Sequence, residues 1–339
     1  MKLSICIPTY NRPNQLPNCL NSIYIAKKNT NLDFEVCVSD NGSSYNVQKI
    51  IDQYKDKFKI VLNINKENLG YQPNLQKVIS IASGEFVWAI GDDDLLTPDA
   101  LKFVEDLFIR YSDVDFYFVN SFHLDYKYLK NFKEPFDTHN LPTNMEKLSK
   151  KQNEMKCNFW DLIDQEVSFD FLLGNFLNIF KREMWIDNIG CLDQQLLHDK
   201  RVWSNFDNTC AHIKIYANAF KNSKAFFTPK AITVNGYGVR EWGALYDFIE
   251  IVRLPEMLDY YRSRGLGFIQ YIKNKNYALR NFSNFFFKII IRGEKAGLKY
   301  VNFYRHFFLN LVYPNVYLSI LYFIGRTIKK IFKKIEKKK

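Results

Sequence analysis

The sequence predicts an α/β protein with a mostly parallel central sheet, helices on both faces of it, and a helical C-terminal extension. Strand-like and helix-like segments alternate over the first 120 residues, and the strand-like segments are almost wholly apolar. Beyond about residue 245 the pattern becomes helical and rich in Tyr, Phe, Arg and Lys. Of the 339 residues 47% are apolar and 17% aromatic, which provides a substantial core and excludes general disorder.

The first elements follow from periodicity and turn residues. Residues 3–8 form an apolar run that predicts a strand, and apolar residues at i, i+4 and i+7 predict a helix over 16–23. Residues 34–38 alternate like a strand and lead into Asp40-Asn41-Gly42-Ser43, which is typical of a turn. The apolar spacing over residues 47–54 predicts the next helix.

Five further elements complete this half: a strand at 59–64, a helix at 72–83, a strand at 86–90, a helix at 99–110 and a strand at 115–119. Gly84 is expected to close its helix as a left-handed cap. Thr97 is expected to cap the next helix, with Pro98 in its first turn. Residues 125–161 are polar and are interpreted as a long excursion, a candidate mobile lid.

Charge and cysteines narrow the class of protein. The net charge is +11, but residues 326–339 carry +7 of it, which leaves +4 for residues 1–325. This placement is unlike the basic face of a nucleic-acid-binding protein, so we expect no nucleic-acid partner. The six cysteines form no CxxC pair, which favours a reduced, cytoplasmic protein. The first apolar run ends at Pro8 and is too short for a signal peptide, so no export is expected.

Polar residues follow four of the predicted strands at their carboxyl ends, where ligands bind in such sheets. They are Pro8-Thr9-Tyr10-Asn11-Arg12, Asp40 to Ser44, Asn68-Leu69-Gly70 and Asp92-Asp93-Asp94. Three adjacent carboxylates after a buried strand repel one another, and a bound Mg²⁺ or Mn²⁺ would remove that cost. The alternative for the triplet is a solvated acidic turn. Asp40 is also common turn chemistry, and Thr9 and Asn11 could be a helix cap.

Together these segments resemble the family 2 glycosyltransferases, an inverting group with the GT-A fold. The resemblance lies in Ser4 to Arg12, Val38 to Ser44, Asn68-Leu69-Gly70, and Ala82 to Phe86 leading into Gly91-Asp92-Asp93-Asp94. It is specific over residues 1–120, weakens through 160–235 and stops near 245. It implies a nucleotide-sugar-binding half at 1–120 and an acceptor-binding half of the same domain at 121–245, with the polar excursion near 125–161. Residues 246–339 would be a helical, aromatic and basic extension that associates with a membrane.

The resemblance also assigns roles. Pro8, Thr9, Asn11 and Arg12 would line the nucleotide, Asp40 would contact the base, and Asn68, Gly70 and Asn74 would complete the donor site. Asp92 would face the ribose or the metal. Asp93 would bind a divalent cation, Mn²⁺ or Mg²⁺, and Asp94 would contact that cation or the donor sugar. The cation would neutralise charge on the departing diphosphate.

Two departures from the family pattern stand out. An arginine expected seven residues after Asn68 is replaced by Leu75. The usual catalytic aspartate near the start of a later helix has its nearest counterpart in His212, which is either the general base or a structural histidine. Asp207 and Asp170 are the competing bases.

The resemblance implies transfer of a sugar, hexose or deoxyhexose, from a nucleoside-diphosphate sugar, with UDP as the expected nucleotide. The expected acceptor is a glycan or lipid-linked glycan of a bacterial surface polysaccharide. The last residues alternate Ile328, Phe332 and Ile335 with lysines, which is typical of a segment lying on an anionic membrane, here the inner face of the cytoplasmic membrane. The alternative there is a core helix followed by a solubilising tail.

Other functional classes agree less well with the sequence than a glycosyltransferase does. Residues 1–20 contain no glycine, which argues against a nucleotidyltransferase loop and excludes the GxGxxG of a Rossmann oxidoreductase. A catalytically degenerate, membrane-attached scaffold of the same fold remains the alternative function.

Overall fold

The computed structural model describes residues 1–201, 203–238, 243 and 245–336, with side chains described through residue 325. The chain forms two compact units. The first comprises Met1–Val202 and Asp207–Arg240, and the second comprises Trp203–Phe206 and Glu241–Lys339.

The described part of the first unit holds one nine-stranded sheet in the order β3-β2-β1-β4-β8-β6-β9-β5, with β7 paired to β9. Pairs β3-β2, β2-β1, β1-β4 and β6-β9 are parallel, and the others are antiparallel. The strands are β1 Leu3–Thr9, β2 Phe34–Asp40, β3 Lys59–Ile64, β4 Phe86–Ala89, β5 Leu95–Leu96, β6 Phe116–Asp125, β7 Met155–Asn158, β8 Asn178–Lys181 and β9 Lys224–Tyr237.

Strand β1 shows why the sheet is covered on both faces. All seven of its residues are buried. Leu3, Ile5 and Ile7 belong to one apolar cluster together with residues of the helices that follow β1 and β5. Cys6 points to the opposite face, where its Sγ lies 3.7 Å from the carbonyl oxygen of Val78. A strand buried on both faces has little reason to alternate apolar and polar residues, which explains its continuous apolar run.

The helices of this unit are α1 Gln15–Lys27, α2 Gln48–Ile51, α3 Tyr71–Ser80, α4 Ala100–Arg110, α5 Arg182–Asp187, α6 Gln194–Leu197 and α7 Phe206–Ala219. The mostly parallel α/β class is confirmed, and the predicted strands at 3–8, 34–38 and 59–64 lie within β1, β2 and β3. The helix predicted over 47–54 is reduced to α2, because the chain turns repeatedly after Ile51.

Two predicted helix caps were wrong. Helix α3 ends at Ser80, and Gly84 is not left-handed. A Cβ at Gly84 would lie 2.6 Å from the Ser4 nitrogen, so close backbone packing requires this glycine. Helix α4 starts at Ala100 with Asp99 at its N-cap, and the Thr97 hydroxyl donates to Asp99 at 2.7 Å.

The polar excursion between β6 and β7 is anchored rather than lid-like. Tyr126, Leu129 and Phe136 are buried in a small apolar cluster with residues of β5, β6 and β9. Asn18 of α1 donates to the Tyr126 hydroxyl at 3.1 Å and accepts from the Phe136 amide at 2.7 Å. An apolar cluster and paired backbone groups of this kind oppose local opening, so the structure does not support the mobile lid.

The second unit is helical, as predicted for the C-terminal region. Its helices are α8 Tyr246–Phe248, α9 Leu254–Arg264, α10 Phe268–Ala278, α11 Phe282–Arg292, α12 Phe303–His306 and α13 Pro314–Glu336. Its core is largely aromatic and is built around Phe248, Phe282 and Phe286.

Among the described residues, no single helix is long and apolar enough to cross a membrane. The segments Phe303–Val312 and Pro314–Gly325 reach that length and composition only as a pair, and they meet at an angle of 95°. The backbone of the basic terminal segment is helical to Glu336. The basic side chains from Arg326 onwards, and residues 337–339 altogether, lie outside the described residues.

Candidate active site

The carboxyl ends of four neighbouring strands meet at one edge of the sheet. In the parallel register Thr9 of β1 lies beside Asp40 of β2, and Asp40 lies beside Ile64 of β3. Strand β4 runs parallel to β1 on its other side and leads through Ile90 into the aspartate triplet. The four polar segments expected to form the donor site are therefore brought together.

The aspartate turn is bonded directly to β1. The hydroxyl of Thr9 donates to Asp92 Oδ2 at 2.7 Å, and both residues are buried. Asp94 holds the turn, because its Oδ2 accepts from the Gly91 amide at 2.8 Å and its Oδ1 accepts from Asn235 of β9 at 2.7 Å. Asp93 is less buried than Asp92 and Asp94.

Negative charge is concentrated at this turn. Burial, and after it the charge of Asp93, raises the pKa of Asp92 to about 8, against the hydrogen bond from Thr9 and the positive charge of Arg12. The arrangement therefore disfavours full ionisation of the triplet when no cation is present.

The residues of this turn fit a divalent cation that is shared with a ligand. A Cβ at Gly91 would lie 2.7 Å from Asp93 Oδ1 and 3.0 Å from Asp94 Oδ2, so the glycine lets two carboxylate oxygens approach the same point. The described residues contain no group of three or more His, Cys, Asp or Glu side chains arranged to hold a metal ion. Mg²⁺ commonly needs only one or two carboxylates when substrate phosphates supply the other oxygens.

The first two loops of the edge are tied together by side chains. Asp40 accepts from the Ser43 hydroxyl at 2.5 Å and from its amide at 3.2 Å, which closes the turn after β2. Asn11 has a positive φ of 52°, and its Oδ1 accepts from the Ser44 amide at 2.8 Å. Asp40 thus carries out the turn-forming role expected as its alternative, and Asn11 joins the loop after β1 to the loop after β2.

The third loop is built on Asn41. Asn41 donates to Asn68 Oδ1 at 2.8 Å and accepts from the Leu69 amide at 3.0 Å. Asn74 is buried and is bonded to the backbone and hydroxyl of Ser39 at 2.9 and 2.7 Å. Asn74 therefore braces β2 and α3, and Leu75, at the position of the missing arginine, is a fully buried core residue.

Tyr71 is a site residue that the sequence analysis missed. It directly follows Gly70, about half of the residue is exposed, and its hydroxyl accepts from Asn175 Nδ2 at 3.1 Å. The buried Tyr216 donates to Asn175 Oδ1 at 3.2 Å, which fixes the orientation of that amide. Burial, and then the charges of the aspartate triplet with Asp94 first, raises the pKa of Tyr71 to about 12. A polar residue following Asn-x-Gly is the only sequence signal that points to it.

His212 is placed in the interior of the first unit. It is 1% exposed, its Nε2 lies 3.1 Å from the Leu173 carbonyl oxygen, and its Nδ1 lies 3.3 Å from Gln72 Nε2. Burial lowers its pKa to about 4, so the ring is neutral near pH 7. These contacts match the structural alternative, in which His212 joins α7 to α3 and to the loop before β8, better than the role of general base.

The two competing carboxylates differ in environment. Asp207 is 1% exposed and paired with Lys214 at 2.6 Å, which is a structural ion pair. Asp170 is partly exposed and accepts from Ser168 and, at 3.0 Å, from the Gly174 amide, yet burial still raises its pKa. Its loop enters β8, which runs antiparallel to β4 and so starts at the same edge as the aspartate turn.

Comparison with known proteins agrees with this geometry. Residues 4–160 match the family model described as glycosyl transferase family 2. The chain is 38% identical over 116 residues to the abequosyltransferase RfbV of Salmonella typhimurium, an alignment that covers 34% of each protein. It is 35% identical over 104 residues to the GalNAc(5)-diNAcBac-PP-undecaprenol beta-1,3-glucosyltransferase of Campylobacter jejuni, covering 30% of this chain and 32% of that protein. The chain thus aligns with only about a third of the length of these relatives.

The structural comparison extends further along the chain. The crystal structure of Staphylococcus aureus TarS in complex with UDP superposes with a TM-score of 0.55 at 17% identity, covering 84% of this chain and 72% of that one. The resemblance inferred from the four strand ends is thereby confirmed. Residues 4–160 are thus similar to glycosyl transferase family 2, and the chain has the GT-A fold.

Proposed function

We propose that the protein transfers a sugar from a nucleoside-diphosphate sugar to an acceptor hydroxyl, with inversion at the anomeric carbon. The observation that carries this proposal is the convergence of four polar strand ends, with Thr9 bonded to Asp92 beside two further carboxylates. A crowded acidic turn at the carboxyl edge of a parallel sheet suits a cation-bound diphosphate. TarS, which shares the fold, was solved with UDP and with UDP-GlcNAc, and this supports UDP as the nucleotide.

In the proposed reaction the acceptor oxygen forms a bond to the anomeric carbon while the bond from that carbon to the diphosphate oxygen breaks. The nucleoside diphosphate leaves with the bonding electron pair, and the acceptor proton passes to a general base. A divalent cation held by Asp93 and Asp94 would neutralise charge on the diphosphate. Thr9 fixes the carboxylate of Asp92, and the Tyr71 hydroxyl would donate a hydrogen bond to the nucleotide sugar.

For the general base we propose Asp170. It is the one candidate of the three that is partly exposed, and its loop leads into β8 at the edge of the sheet that carries the aspartate turn. A carboxylate with a raised pKa is a stronger proton acceptor than an ordinary one. His212 and Asp207 are enclosed by protein groups.

The proposed acceptor is a lipid-linked glycan of a bacterial surface polysaccharide, reached at the inner face of the cytoplasmic membrane. The names of two relatives support this proposal, since one is an abequosyltransferase and the other acts on an undecaprenol-linked glycan. The basic residues after Gly325 would contribute by attraction to anionic lipid.

The alternative, a degenerate scaffold, is favoured by one observation, the replacement of the expected arginine by the core residue Leu75. Release of nucleoside diphosphate from UDP-sugars in the presence of Mn²⁺ separates the two functions. The transferase releases it at a rate that acceptor glycans increase, whereas a scaffold binds the nucleotide and releases none.

A further inference from the structure

The segments Phe303–Val312 and Pro314–Gly325, which we call the helical hairpin, bury three polar side chains, those of His306, Asn310 and Ser319. His306 is 6% exposed and contacts Glu256 at 3.1 Å, and Arg305 reaches the same carboxylate at 3.5 Å. Asn310 is 2% exposed and donates to the His306 carbonyl oxygen at 2.8 Å. The His306 ring, the Arg305 guanidinium and the amide nitrogen of Asn310 are therefore bonded within the protein.

The second arm repeats this pattern. Ser319 is 4% exposed and its hydroxyl bonds to that of Ser283 on α11 at 2.8 Å. The Asn315 side chain donates to the Asn276 carbonyl oxygen at 2.8 Å. Tyr313 and Val316 also face the aromatic core of the second unit. One stripe of α13 thus packs against α10 and α11.

The remaining faces of the hairpin are apolar and uncovered. On α13 the exposed side chains are Tyr317, Leu318, Ile320, Leu321, Tyr322 and Ile324. On the first arm they are Phe303, Tyr304, Phe308, Leu309 and Val312. We call these two sets the apolar face. A helix on a water-exposed surface normally buries its apolar side chains and exposes its polar ones. The helical hairpin buries polar side chains and exposes apolar ones, which is the opposite arrangement.

The apolar face continues onto α11. Phe287 of α11, itself exposed, stacks on Phe323 of α13 with ring centroids 5.2 Å apart. Ile290 and Ile291 of α11 are exposed as well. Uncovered apolar surface spread over neighbouring helices exceeds the isolated exposed side chains that are normal for soluble proteins.

We propose that the apolar face inserts into one leaflet of a lipid bilayer and is the principal membrane contact of the protein. This deepens the membrane contact of the proposed function, in which the basic terminal segment alone provides it. The apolar arms contain ten and twelve residues, about 15 and 18 Å of helix at 1.5 Å per residue, so neither apolar stretch spans a hydrocarbon core of about 30 Å. Helix α13 continues beyond Gly325, but there its sequence is basic.

The composition of the face and of the following sequence fits a lipid surface better than a protein partner. Three of its eleven members are Tyr, a residue enriched at membrane interfaces, and two are Phe, which is common on the lipid-facing side of interfacial helices. Directly after the second arm the sequence carries eight basic residues and one acidic residue up to Lys339. A basic segment next to an apolar face matches the layering of anionic headgroups over acyl chains.

The test is flotation of the full chain with vesicles of neutral phosphatidylcholine, and of phosphatidylcholine mixed with phosphatidylglycerol, at low salt and at about 0.5 M salt, where charge attraction is screened. We expect binding to both compositions and substantial binding at high salt. A chain ending at Gly325 should lose affinity for the anionic vesicles at low salt and keep its high-salt binding.

A double substitution on α13 separates insertion from charge attraction. Leu318→Lys with Leu321→Lys adds positive charge, so a purely electrostatic contact would strengthen on anionic vesicles, whereas insertion predicts a loss of roughly tenfold or more because buried apolar area is removed. The matched control is Ile109→Lys with Leu196→Lys, two exposed apolar residues of the first unit. We expect the control to bind as the unsubstituted chain does.

Three results would overturn the proposal: binding that disappears at high salt for the full chain, tighter binding of the Leu318/Leu321 variant, or no vesicle binding. If the full chain does not bind vesicles but forms a dimer, and the Leu318/Leu321 variant is monomeric, the apolar face is a contact between two copies. Nucleotide binding measured without lipid checks the fold of each variant. It also keeps a failure of this inference distinct from a failure of the proposed transferase.

Discussion

The proton of the Tyr71 hydroxyl has a defined direction. Asn175 donates to that oxygen, and Tyr216 orients the Asn175 amide, so the hydroxyl hydrogen of Tyr71 is left to point away from Asn175. Burial and the negative charges of the aspartate triplet raise the pKa of the same hydroxyl, which keeps it protonated. At the scale of single residues, we therefore propose that the Tyr71 hydroxyl is a neutral hydrogen-bond donor within the candidate site.

Replacing Tyr71 by Phe should weaken donor use by about tenfold, the value of one hydrogen bond to a charged ligand. The ring stays in place, so the melting temperature should change little. The measurement is kcat/KM for the UDP-sugar, with Tyr304→Phe, an exposed tyrosine of the second unit, as the control. An unchanged kcat/KM in Tyr71→Phe would remove Tyr71 from the donor site.

Substitutions at His212 and Asp170 decide the identity of the base. We expect Asp170→Asn to lower kcat by about 10²–10⁴-fold with UDP affinity preserved, because a positioned base contributes that much. His212→Gln keeps a neutral side chain that can donate to Leu173, so activity should persist, while His212→Ala should mainly lower thermal stability. If the His212→Gln variant folds and binds UDP but has no turnover, His212 rather than Asp170 is the general base.

The substitution Asp93→Asn tests whether Asp93 binds the divalent cation. It removes one charge at constant size, so the protein should fold while Mn²⁺-dependent turnover drops about a hundredfold or more, as on losing a principal electrostatic stabiliser. Asp106→Asn, on the exposed surface of α4, is the matched control. Equal turnover of the two variants over a range of Mn²⁺ concentrations would refute the metal role of Asp93.

At the scale of elements, strands β1, β2 and β3 are held together by one buried carboxylate. Glu35 of β2 is 0% exposed, accepts from Ser4 of β1 at 2.8 Å and from the Ser83 amide at 2.7 Å, and pairs with Lys59 of β3 at 2.7 Å. Burial opposes its ionisation, but the hydrogen bonds from Lys59, Ser83 and Ser4 prevail and lower its pKa to about 2.

This carboxylate predicts a pH dependence of stability. Its folded pKa lies below the ordinary value of 4.5, so its stabilisation is fully present above about pH 4.5 and is lost as the pH falls towards 2. Glu35→Gln should therefore cost about 1–3 kcal/mol of unfolding free energy at pH 7 and progressively less below pH 4.5. Urea unfolding at several pH values, with the exposed Glu183→Gln as control, measures it, and a pH-independent difference would contradict the assignment.

The elements also show what the sequence can and cannot predict. Strands β1 to β4 were predictable because they are short apolar runs followed by polar turns. The antiparallel insertion of β8 between β4 and β6 was not, since strand pairing at that separation leaves no local pattern. For the same reason Asn175 and Asn235, which bond to Tyr71 and Asp94, could not be found from spacing alone.

For the molecule as a whole, the class of fold followed from the sequence, whereas the roles of the site residues stay predictions. Asp40, Asn74 and His212 were expected to touch ligands, and their observed contacts bind loops and helices to one another. Similarly, the apolar character of the helical hairpin is visible in the sequence, but which of its side chains face outward is set by packing against α10 and α11.

The central claim is that the edge of the sheet formed by Thr9, Asp40 and the aspartate turn binds a nucleoside diphosphate together with a divalent cation. The most direct measurement is the melting temperature of the full chain with UDP, GDP, CDP and ADP, each with and without Mn²⁺. A ligand that binds the folded state raises this temperature by mass action. We predict a shift with UDP that requires Mn²⁺ and is lost in Asp93→Asn, whereas no shift with any nucleotide under either condition would contradict the account.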